Sequence, residues 1–195
     1  MTFVQMSEGH LPLVGAFFCV ESDAELAPLK SRERRRIKQH SLDMQKFLRN
    51  EAFHDQELGL NRTFLLMDDD QTQIIAYLSL CNDAINLEIQ ERKDEGVIYG
   101  SAPSLKIARL AVDAHFTHQG IGKQLIQYAA YQASLIREHS GVFFLTLDCY
   151  QHRLSFYESV GFVKNLIQPV QLPYDSPISM RIGLDSYLAS LTTDK

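Results

Sequence analysis

Apolar residues in the first 60 positions recur mainly at steps of three and four, the spacing that places side chains on one face of an α-helix. The clearest such face comprises Met44, Phe47, Leu48 and Ala52. Asp23 and Ser41 stand at the start of helical patterns and are residue types favoured there, so we predict them as N-caps. Gly59 follows the pattern and is predicted to stop the helix. This part of the chain is therefore expected to be mainly helical.

The pattern changes to strands after residue 60. The stretch RTFLLMDDDQTQIIAYLSL, residues 62–80, contains two β-rich runs that flank the polar cluster Asp68–Thr72. Such an arrangement predicts an antiparallel hairpin. Residues 83–102 are polar and are predicted to form a connection with at most a short helix.

Strands and helices alternate beyond this connection. The apolar run LKIARLAVD, residues 105–113, predicts a strand, and a helical pattern then begins near Gly120 and ends before Gly141. The next run, VFFLTLDCY at residues 142–150, is almost continuously apolar, which is typical of a strand buried on both faces.

The end of the chain continues the alternation. RLSFYESVGF, residues 153–162, predicts a short helix stopped by Gly161, and Ile178–Ile182 predicts a final strand after a loop. An antiparallel hairpin followed by alternating strands and helices predicts a mixed sheet of the α/β class. Periodicity alone does not give the order of its strands.

Composition fits one soluble globular domain. The 195 residues are 45% hydrophobic and 22% charged, and they contain no repeat, low-complexity tract or linker, so we expect a single domain over residues 1–195. No apolar run approaches membrane-spanning length, and no membrane partner is expected. The apolar stretch LPLVGAFFCV follows Glu8 and no basic residue, so we do not predict a signal peptide.

The cysteines and the net charge indicate the cellular location and the kind of partner. Cys19, Cys81 and Cys149 are odd in number and lack metal-ligand or CxxC spacing, which predicts buried free thiols and a reducing, cytoplasmic location. The net charge of -5 argues against general nucleic-acid binding. The run LKSRERRRIKQH, residues 29–40, is the local exception. We favour a solvated helix face there over a docking patch for RNA or an acidic partner.

One junction calls for a chemical explanation. The apolar residues Leu110, Ala111 and Val112 lead to a helix through His118-Gln119-Gly120-Ile121-Gly122, although glycine is a poor helix former. A helix start exposes unpaired N–H groups, and glycine lets the backbone approach an anion closely. A diphosphate cradle and a tight turn without a ligand explain these glycines equally well. The pattern is neither a Walker loop nor a complete GxGxxG.

The surrounding sequence makes the pattern specific. LAVDAHFTHQGIGKQLI, followed by FFLTLDCY and FYESVGF, resembles the GNAT superfamily of acetyl-CoA-dependent N-acetyltransferases. The acetyl-CoA loop of that family, Gln/Arg-x-x-Gly-x-Gly/Ala, falls on residues 117–122, and its FYxxxGF pattern falls on residues 156–162. The resemblance covers residues 103–163 and extends to the hairpin at 62–80.

The resemblance implies a fold and a set of site residues. The fold would be a GNAT-like twisted mixed sheet with helices on both faces and two splayed parallel strands, between which acetyl-CoA binds. Tyr157 would be the catalytic residue that protonates the departing CoA thiolate. The residues implied in acetyl-CoA binding are Leu110, Ala111, Val112, Thr117, His118, Gln119, Gly120, Ile121, Gly122 and Lys123. The resemblance implies acetyl-CoA as co-substrate and no metal.

The chain also departs from the family pattern. Thr117 stands where Gln or Arg is usual, and His118 where Gly is frequent, which puts the affinity for CoA in question. Tyr150 occupies the position of an Asn that often contacts CoA, so we carry no Asn role over.

The general base is not identifiable from the sequence. Asp113, His115, Asp148 and His152 all lie near the proposed site in sequence, and each is better explained as a surface or capping group. A water chain is equally compatible with deprotonation of the amine. Cys149 has no visible activating base, so a covalent acetyl-cysteine is the less favoured route.

Three functions fit these residues. We favour the first, an N-acetyltransferase that acts directly on a primary amine of a small molecule or peptide. The second is a toxin-type enzyme that acetylates aminoacyl-tRNA, because the hairpin and the following strand also resemble that GNAT branch. The third is a non-catalytic acyl-CoA-binding module. The expected partner is an amine acceptor, nucleic acid other than tRNA is not expected, and a homodimer is compatible with the sequence.

Overall fold

The computed structural model describes residues 1–169 and 176–193. The strands within these ranges are β1 (Thr2–Gln5), β2 (Arg62–Met67), β3 (Ile74–Asn86), β4 (Ser101–Val112), β5 (Phe144–Cys149), β6 (Val163–Lys164) and β7 (Ile178–Gly183). The helices are α1 (Asp23–Leu26), α2 (Ser31–Asn50), α3 (Ala52–Glu57), α4 (Ile89–Glu95), α5 (Ile121–Arg137), α6 (Leu154–Val160) and α7 (Leu184–Thr193). Short 3-10 turns occupy part of the connections.

The predicted mixed sheet is confirmed. The strands follow the order β1-β2-β3-β4-β5-β7-β6, with a parallel pair between β4 and β5 and antiparallel pairs elsewhere where the register is defined. The chain divides into two compact units, residues 1–80 with 109–125 and residues 81–108 with 126–195. Each unit is described by itself below.

The first unit has a core built on the predicted hairpin and α2. Strands β2 and β3 pair antiparallel, and β1 adds to the outer side of β2. Tyr77 on β3 is completely buried, packs edge-on against Phe17 and stacks on Phe47. Its hydroxyl donates to the carbonyl of Met44 at 2.7 Å, so the buried polar group is satisfied. Of the predicted apolar face, Phe47 and Leu48 on α2 and Ala52 at the start of α3 are buried, and Met44 packs beside them.

The second unit contains the parallel pair. Ser104–Ile107 of β4 lie opposite Phe144–Leu147 of β5, and β5 also pairs antiparallel with β7 along its whole length. All side chains of β5 except that of Asp148 are buried, as its continuous apolar run predicted. The α4 helix is the short helix expected in the polar connection, but residues 81–86 continue β3 instead of forming a loop.

A buried ion cluster ties α4 to β7 in this unit. The Arg181 guanidinium lies 2.6 Å from a Glu91 carboxylate oxygen and 3.2 Å from Glu95, and it also donates to the side chain of Asn165. Glu91 in turn accepts the Leu166 N–H at 2.9 Å. Both partners of the Arg181–Glu91 pair are almost fully buried, so removing one would leave an uncompensated charge.

Both predicted N-caps were wrong. Ser22 caps α1, because its hydroxyl accepts the Glu25 N–H while the Glu25 carboxylate accepts the Ser22 N–H, which completes a capping box. Asp23 instead pairs with Lys38 at 2.7 Å. Ser41 lies inside α2, where its hydroxyl is buried and donates to Glu21. The stop at Gly59 is confirmed, because α3 ends just before it and its φ is +75°.

Three elements were not predicted. The N-terminal strand β1 precedes the helices, the two-residue strand β6 follows Gly161, and helix α7 follows β7. The predicted final strand is confirmed as β7, but the loop before it falls partly on residues 170–175, which lie outside the described residues. None of the three cysteines forms a disulfide, and Cys149 is buried while the other two are half-buried.

Candidate functional site

Asp113 fixes the end of β4 in the first unit. Its buried carboxylate accepts the backbone N–H groups of Phe18 at 2.9 Å and His115 at 3.0 Å, and it lies 2.8 Å from the His115 ring nitrogen Nδ1. Its own N–H donates to the carbonyl of Ile75 at 2.8 Å. A carboxylate that accepts three hydrogen bonds is an anchor of the chain, which agrees with the predicted capping role.

The loop that follows turns on two left-handed residues. His118 has φ +60° and Gly120 has φ +78°, and these angles bring the chain from the end of β4 to the start of α5. The Gly120 carbonyl accepts the N–H groups of Lys123 at 3.0 Å and Gln124 at 3.2 Å, which closes the first turn of the helix. A left-handed histidine is uncommon, whereas glycine adopts this conformation at no steric cost.

The backbone donors of this loop are available to a ligand. In the part of the chain that the structure describes, no acceptor pairs with the N–H groups of Gly120, Ile121 or Gly122. Gly120 is exposed, and a Cβ added to it would meet no described heavy atom within 4 Å. Open space beside unpaired donors at a helix start fits an anion such as a diphosphate.

Some side chains of the cradle, residues 117–123, form hydrogen bonds or ion pairs within the protein, and others point into solvent. Thr117 donates its hydroxyl to the carbonyl of Ala114, and Lys123 is exposed. The exposed His118 ring lies 3.5 Å from the Glu25 carboxylate, a contact that sequence analysis did not predict. Hydrogen bonds from the Ser22 backbone and hydroxyl, and then from His118, lower the pKa of Glu25.

An open pocket lies beside the cradle within the same unit. Its lining combines carboxylates, a lysine, a histidine and apolar groups: Phe18, Val20, Glu21, Ser22, Asp23, Glu25, Lys38, Ala114 and His115. Three carboxylates, those of Glu21, Asp23 and Glu25, and one lysine, Lys38, line the pocket, and Lys38 pairs with Asp23. Most of this lining comes from the N-terminal region that the sequence motifs do not cover.

Tyr157 lies on α6 in the second unit. Its half-buried ring makes edge contacts with Phe156 and Phe162, at ring-centroid distances of 5.0 and 5.9 Å. No described residue hydrogen-bonds its hydroxyl. Burial, followed by the neighbouring Cys149, raises the pKa of Tyr157 to about 12. The hydroxyl therefore stays protonated at neutral pH, as a proton donor must.

Cys149 has the properties of an inert thiol. It is 4% exposed, and its sulfur lies 3.5 Å from the Met180 sulfur. Burial, followed by the charge of Asp148, raises the pKa of Cys149 to about 11. The thiol is consequently protonated at neutral pH, which disfavours a covalent acetyl-cysteine.

The remaining candidate bases in the second unit are also engaged. Asp148 accepts a hydrogen bond from the Lys106 ammonium at 2.7 Å. Burial acts to lower the pKa of Lys106, but the hydrogen bond and charge of Asp148 outweigh it, and the pKa of Lys106 is raised. His152 stacks on Tyr150 at a centroid distance of 6.1 Å. Sequence analysis did not predict the Lys106 contact, because only the strand register brings the two residues together.

The structure thus groups the predicted site residues into two sets. The first unit contains residues 110–112 at the end of β4 together with the whole cradle. The second unit contains Tyr157, Cys149 and Asp148. No group of three or more His, Cys, Asp or Glu residues suited to a metal ion occurs in the described ranges. Among those same residues, no helix combines the length and apolar character needed to cross a membrane.

Residues 61–164, just over half of the chain, match the family model described as acetyltransferase (GNAT) domain. This match includes the cradle and Tyr157.

Solved structures resemble the chain over nearly its whole length. AtaT complexed with acetyl-methionyl-tRNAfMet has a TM-score of 0.75 at 16% identity, covering 97% of this chain and 98% of that one. A tyrosine-to-phenylalanine mutant of KacT has a TM-score of 0.74 at 15% identity, with the same coverage. AtaTR bound with AcCoA has a TM-score of 0.66 at 18% identity and covers 97% of both chains. At these identities the likeness concerns the fold.

Proposed function

Because this chain belongs to the GNAT acetyltransferase family, we propose that it transfers the acetyl group of acetyl-CoA to the α-amino group of an aminoacyl-tRNA. The observation that carries the choice of acceptor is the similarity to AtaT in complex with acetyl-methionyl-tRNAfMet, which covers 97% of this chain. That coverage includes the N-terminal helices, which lie outside the family match and contribute most of the pocket beside the cradle. AtaTR bound with AcCoA supports acetyl-CoA as the acetyl donor.

The cradle would bind the pyrophosphate of acetyl-CoA. The unpaired N–H groups of Gly120, Ile121 and Gly122 would donate to its oxygens, and Lys123 would add a positive charge. The backbone of residues 110–112, at the end of β4, would pair with the pantetheine arm. A backbone N–H of this strand would polarise the thioester carbonyl.

The chemical step requires attack, bond cleavage and two proton transfers. The neutral amine nitrogen attacks the thioester carbon, the carbon–sulfur bond breaks, and the nitrogen loses its extra proton to water. Tyr157 would give its hydroxyl proton to the departing sulfur. A tyrosine whose pKa is raised to about 12 remains protonated at neutral pH and so can serve as that donor.

The state of the acidic groups also supports an α-amino acceptor. Asp113 is held by three hydrogen bonds and Asp148 by Lys106, so neither is an uncommitted base. At pH 7.5 an α-amino group of pKa near 7.7–8.0 is about one-third neutral, whereas a lysine-like amine is neutral in only about one molecule in a thousand. If water removes the proton, the site therefore favours α-amino groups.

The basic face of α2 is the proposed contact for tRNA. Arg32 and Arg35 are exposed, whereas Arg34 and Arg36 are half-buried. Positive side chains near RNA phosphates make binding fall with rising salt. If α2 is only a solvated face, changing these charges would leave tRNA affinity unaltered.

One experiment tests the acceptor directly. Protein, radiolabelled acetyl-CoA and bulk tRNA charged with all amino acids are incubated, and acid-insoluble label is counted before and after mild alkali. We expect label that alkali releases, because the acetylated amino acid is ester-linked to the RNA. Uncharged tRNA is the control and should take up no label. Label absent from charged tRNA but present on free amines would exclude the proposed acceptor.

A charge variant tests the tRNA surface. Arg32→Gln with Arg35→Gln should weaken tRNA binding and reduce the slope of log K against log salt by about 1.5, for two lost phosphate contacts. Lys93→Gln with Lys164→Gln removes the same charge from exposed positions outside α2. Equal effects of the two double variants would mean that α2 is no specific contact.

A small-molecule or peptide amine is the second candidate acceptor. The lining of the pocket contains more acidic than basic side chains, which favours a cationic amine over a polyanion. Label transferred to a diamine or peptide in the same assay, with a KM raised by Glu21→Gln, would favour this acceptor. Under the tRNA proposal, Glu21→Gln leaves transfer to charged tRNA unchanged or improves it.

A further inference from the structure

The end of α6 forms a Schellman motif that includes Tyr157. Gly161 has φ +107°, and its N–H donates to the Glu158 carbonyl at 3.0 Å. The next N–H, from Phe162, donates to the Tyr157 carbonyl at 3.0 Å. These two hydrogen bonds define the motif. An apolar contact between the residues at the positions of Tyr157 and Phe162 usually accompanies them.

That apolar contact is present and well defined. The Phe162 ring is 2% exposed and meets the Tyr157 ring edge-on, with centroids 5.9 Å apart and planes at 76°. Phe162 thus contacts Tyr157 twice, through its backbone N–H and through its ring. The strand β6 begins at the next residue and pairs with β7, which anchors the backbone beyond Phe162.

Gly161 is required for this arrangement. An L-residue is strained at φ +107°, and an added Cβ would lie 3.1 Å from the Ile182 side chain. Without the sharp left-handed turn, the chain could not bring the Phe162 ring back onto the helix it has just left. The spacing FYxxxGF therefore has a geometric reason within this chain.

The free hydroxyl of Tyr157 gives the ring contact its importance. No described residue holds that hydroxyl by a hydrogen bond, so the direction of the proton donor is set by what holds the ring. Phe156 lies one position earlier on the same short helix and moves with it. Phe162 lies beyond the turn, and its contact with the Tyr157 ring holds that ring in position relative to the paired strands β6 and β7.

We propose that Phe162 is a positioning residue for the acetyl-transfer reaction, which aims the Tyr157 hydroxyl through the edge-on ring contact and the Schellman hydrogen bond. The inference rests on the proposed function, because it assigns Phe162 a role through Tyr157. It predicts that loss of the ring contact slows turnover and leaves acetyl-CoA affinity unchanged. If Phe162 only stabilises the end of the helix, loss of the ring contact would lower stability without a specific effect on turnover.

The variant Phe162→Leu keeps an apolar side chain and the backbone hydrogen bond but removes the aromatic edge. An aromatic pair contributes a factor of about 2 to 10 beyond its buried area, so we expect kcat to fall by about 3- to 10-fold with an unchanged acetyl-CoA Kd. Phe144→Leu is the matched control, because Phe144 is equally buried in the same unit but packs edge-on against Phe143. It should lower the melting temperature and leave kcat of the folded enzyme unaltered.

A double-mutant cycle separates positioning from stability. With bulk aminoacyl-tRNA as acceptor, Tyr157→Phe should lower kcat by about a hundredfold, and adding Phe162→Leu should then change kcat no further. If Phe162→Leu has the same effect in both backgrounds, or none in either, Phe162 does not act through Tyr157 and the inference is overturned. If Tyr157→Phe itself turns over normally, the proton-donor role in the proposed function fails instead. Melting temperatures of all variants confirm that the compared proteins are folded.

Discussion

Replacing Gly120 by aspartate tests the cradle most directly. The substitution places a carboxylate where the backbone donors of the helix start would meet the acetyl-CoA pyrophosphate. An added Cβ at Gly120 meets no described heavy atom within 4 Å, so the protein itself has room for the side chain. The φ of +78° adds strain for any L-residue, of about 1–2 kcal/mol for most residues and less for Asn or Asp. Gly120→Asn is therefore the matched control, with nearly the same shape and strain and no charge.

The charge effect follows from Coulomb's law. A carboxylate about 5 Å from a phosphate charge is repelled by about 0.8 kcal/mol at the dielectric of water and about 3 kcal/mol at an effective dielectric of 20. Because Gly120 is exposed, the lower part of this range applies. We therefore expect acetyl-CoA to bind about tenfold more weakly to Gly120→Asp than to Gly120→Asn.

Calorimetric titration of both variants with acetyl-CoA measures this difference, and repeating it at higher salt should shrink it because salt screens exposed charges. Gly122→Asp should behave similarly, since that glycine lies in the first turn of α5. Equal affinities of the Asp and Asn variants at low salt would refute the placement of phosphate beside Gly120. Affinities equal to that of the unmodified protein would refute the cradle altogether.

Three further predictions concern single residues. Tyr157→Phe should reduce kcat about a hundredfold with little change in acetyl-CoA affinity, as measured by turnover and calorimetry. Asp113→Asn should lower the unfolding free energy by about 1–3 kcal/mol, measured by denaturant titration, because an amide cannot accept all the hydrogen bonds of the buried carboxylate. Burial raises the pKa of Cys149 from 9.0 to about 11, so the stability from its neutral thiol is complete below pH 9 and is lost as the pH rises to about 11. Cys149→Ala should flatten this alkaline decline, and an unchanged pH profile would contradict the assignment.

Long periodic patterns predicted the fold well. The hairpin, the helix after the glycines and the strand β5 are confirmed because each has an extended apolar pattern that only one secondary structure can bury. The Ser41 cap failed because α2 already begins at Ser31. The Asp23 cap failed because Ser, Asp and Glu near a helix start compete for the same backbone groups. At α1 the reciprocal bonds of Ser22 and Glu25 exclude Asp23 from the cap, and such reciprocity depends on side-chain geometry.

The parts of the site whose residues are adjacent in sequence could be predicted. The parts whose residues are brought together only by folding could not. Residues 117–123 form one loop, so their spacing alone indicated a cradle with backbone donors. The Lys106–Asp148 pair joins two strands, and the His118–Glu25 contact joins the cradle to α1, far apart in sequence. No pattern of spacings gives such contacts. The single domain over residues 1–195 and the cytoplasmic location stay predictions.

The state of the acidic groups has a consequence for how the enzyme would select its acceptor. Asp113 and Asp148 are both committed to other partners, so the proposed function assigns deprotonation of the amine to water. An acceptor then has to supply its own neutral fraction, and transfer should follow the amine pKa closely. At fixed pH, the neutral fraction of an amine falls about tenfold for each unit by which its pKa exceeds the pH, and the higher nucleophilicity of a more basic amine offsets part of this loss. The preference for an α-amino acceptor and the lack of an assigned general base therefore have the same structural cause. Asp113 and Asp148 are both engaged by other groups.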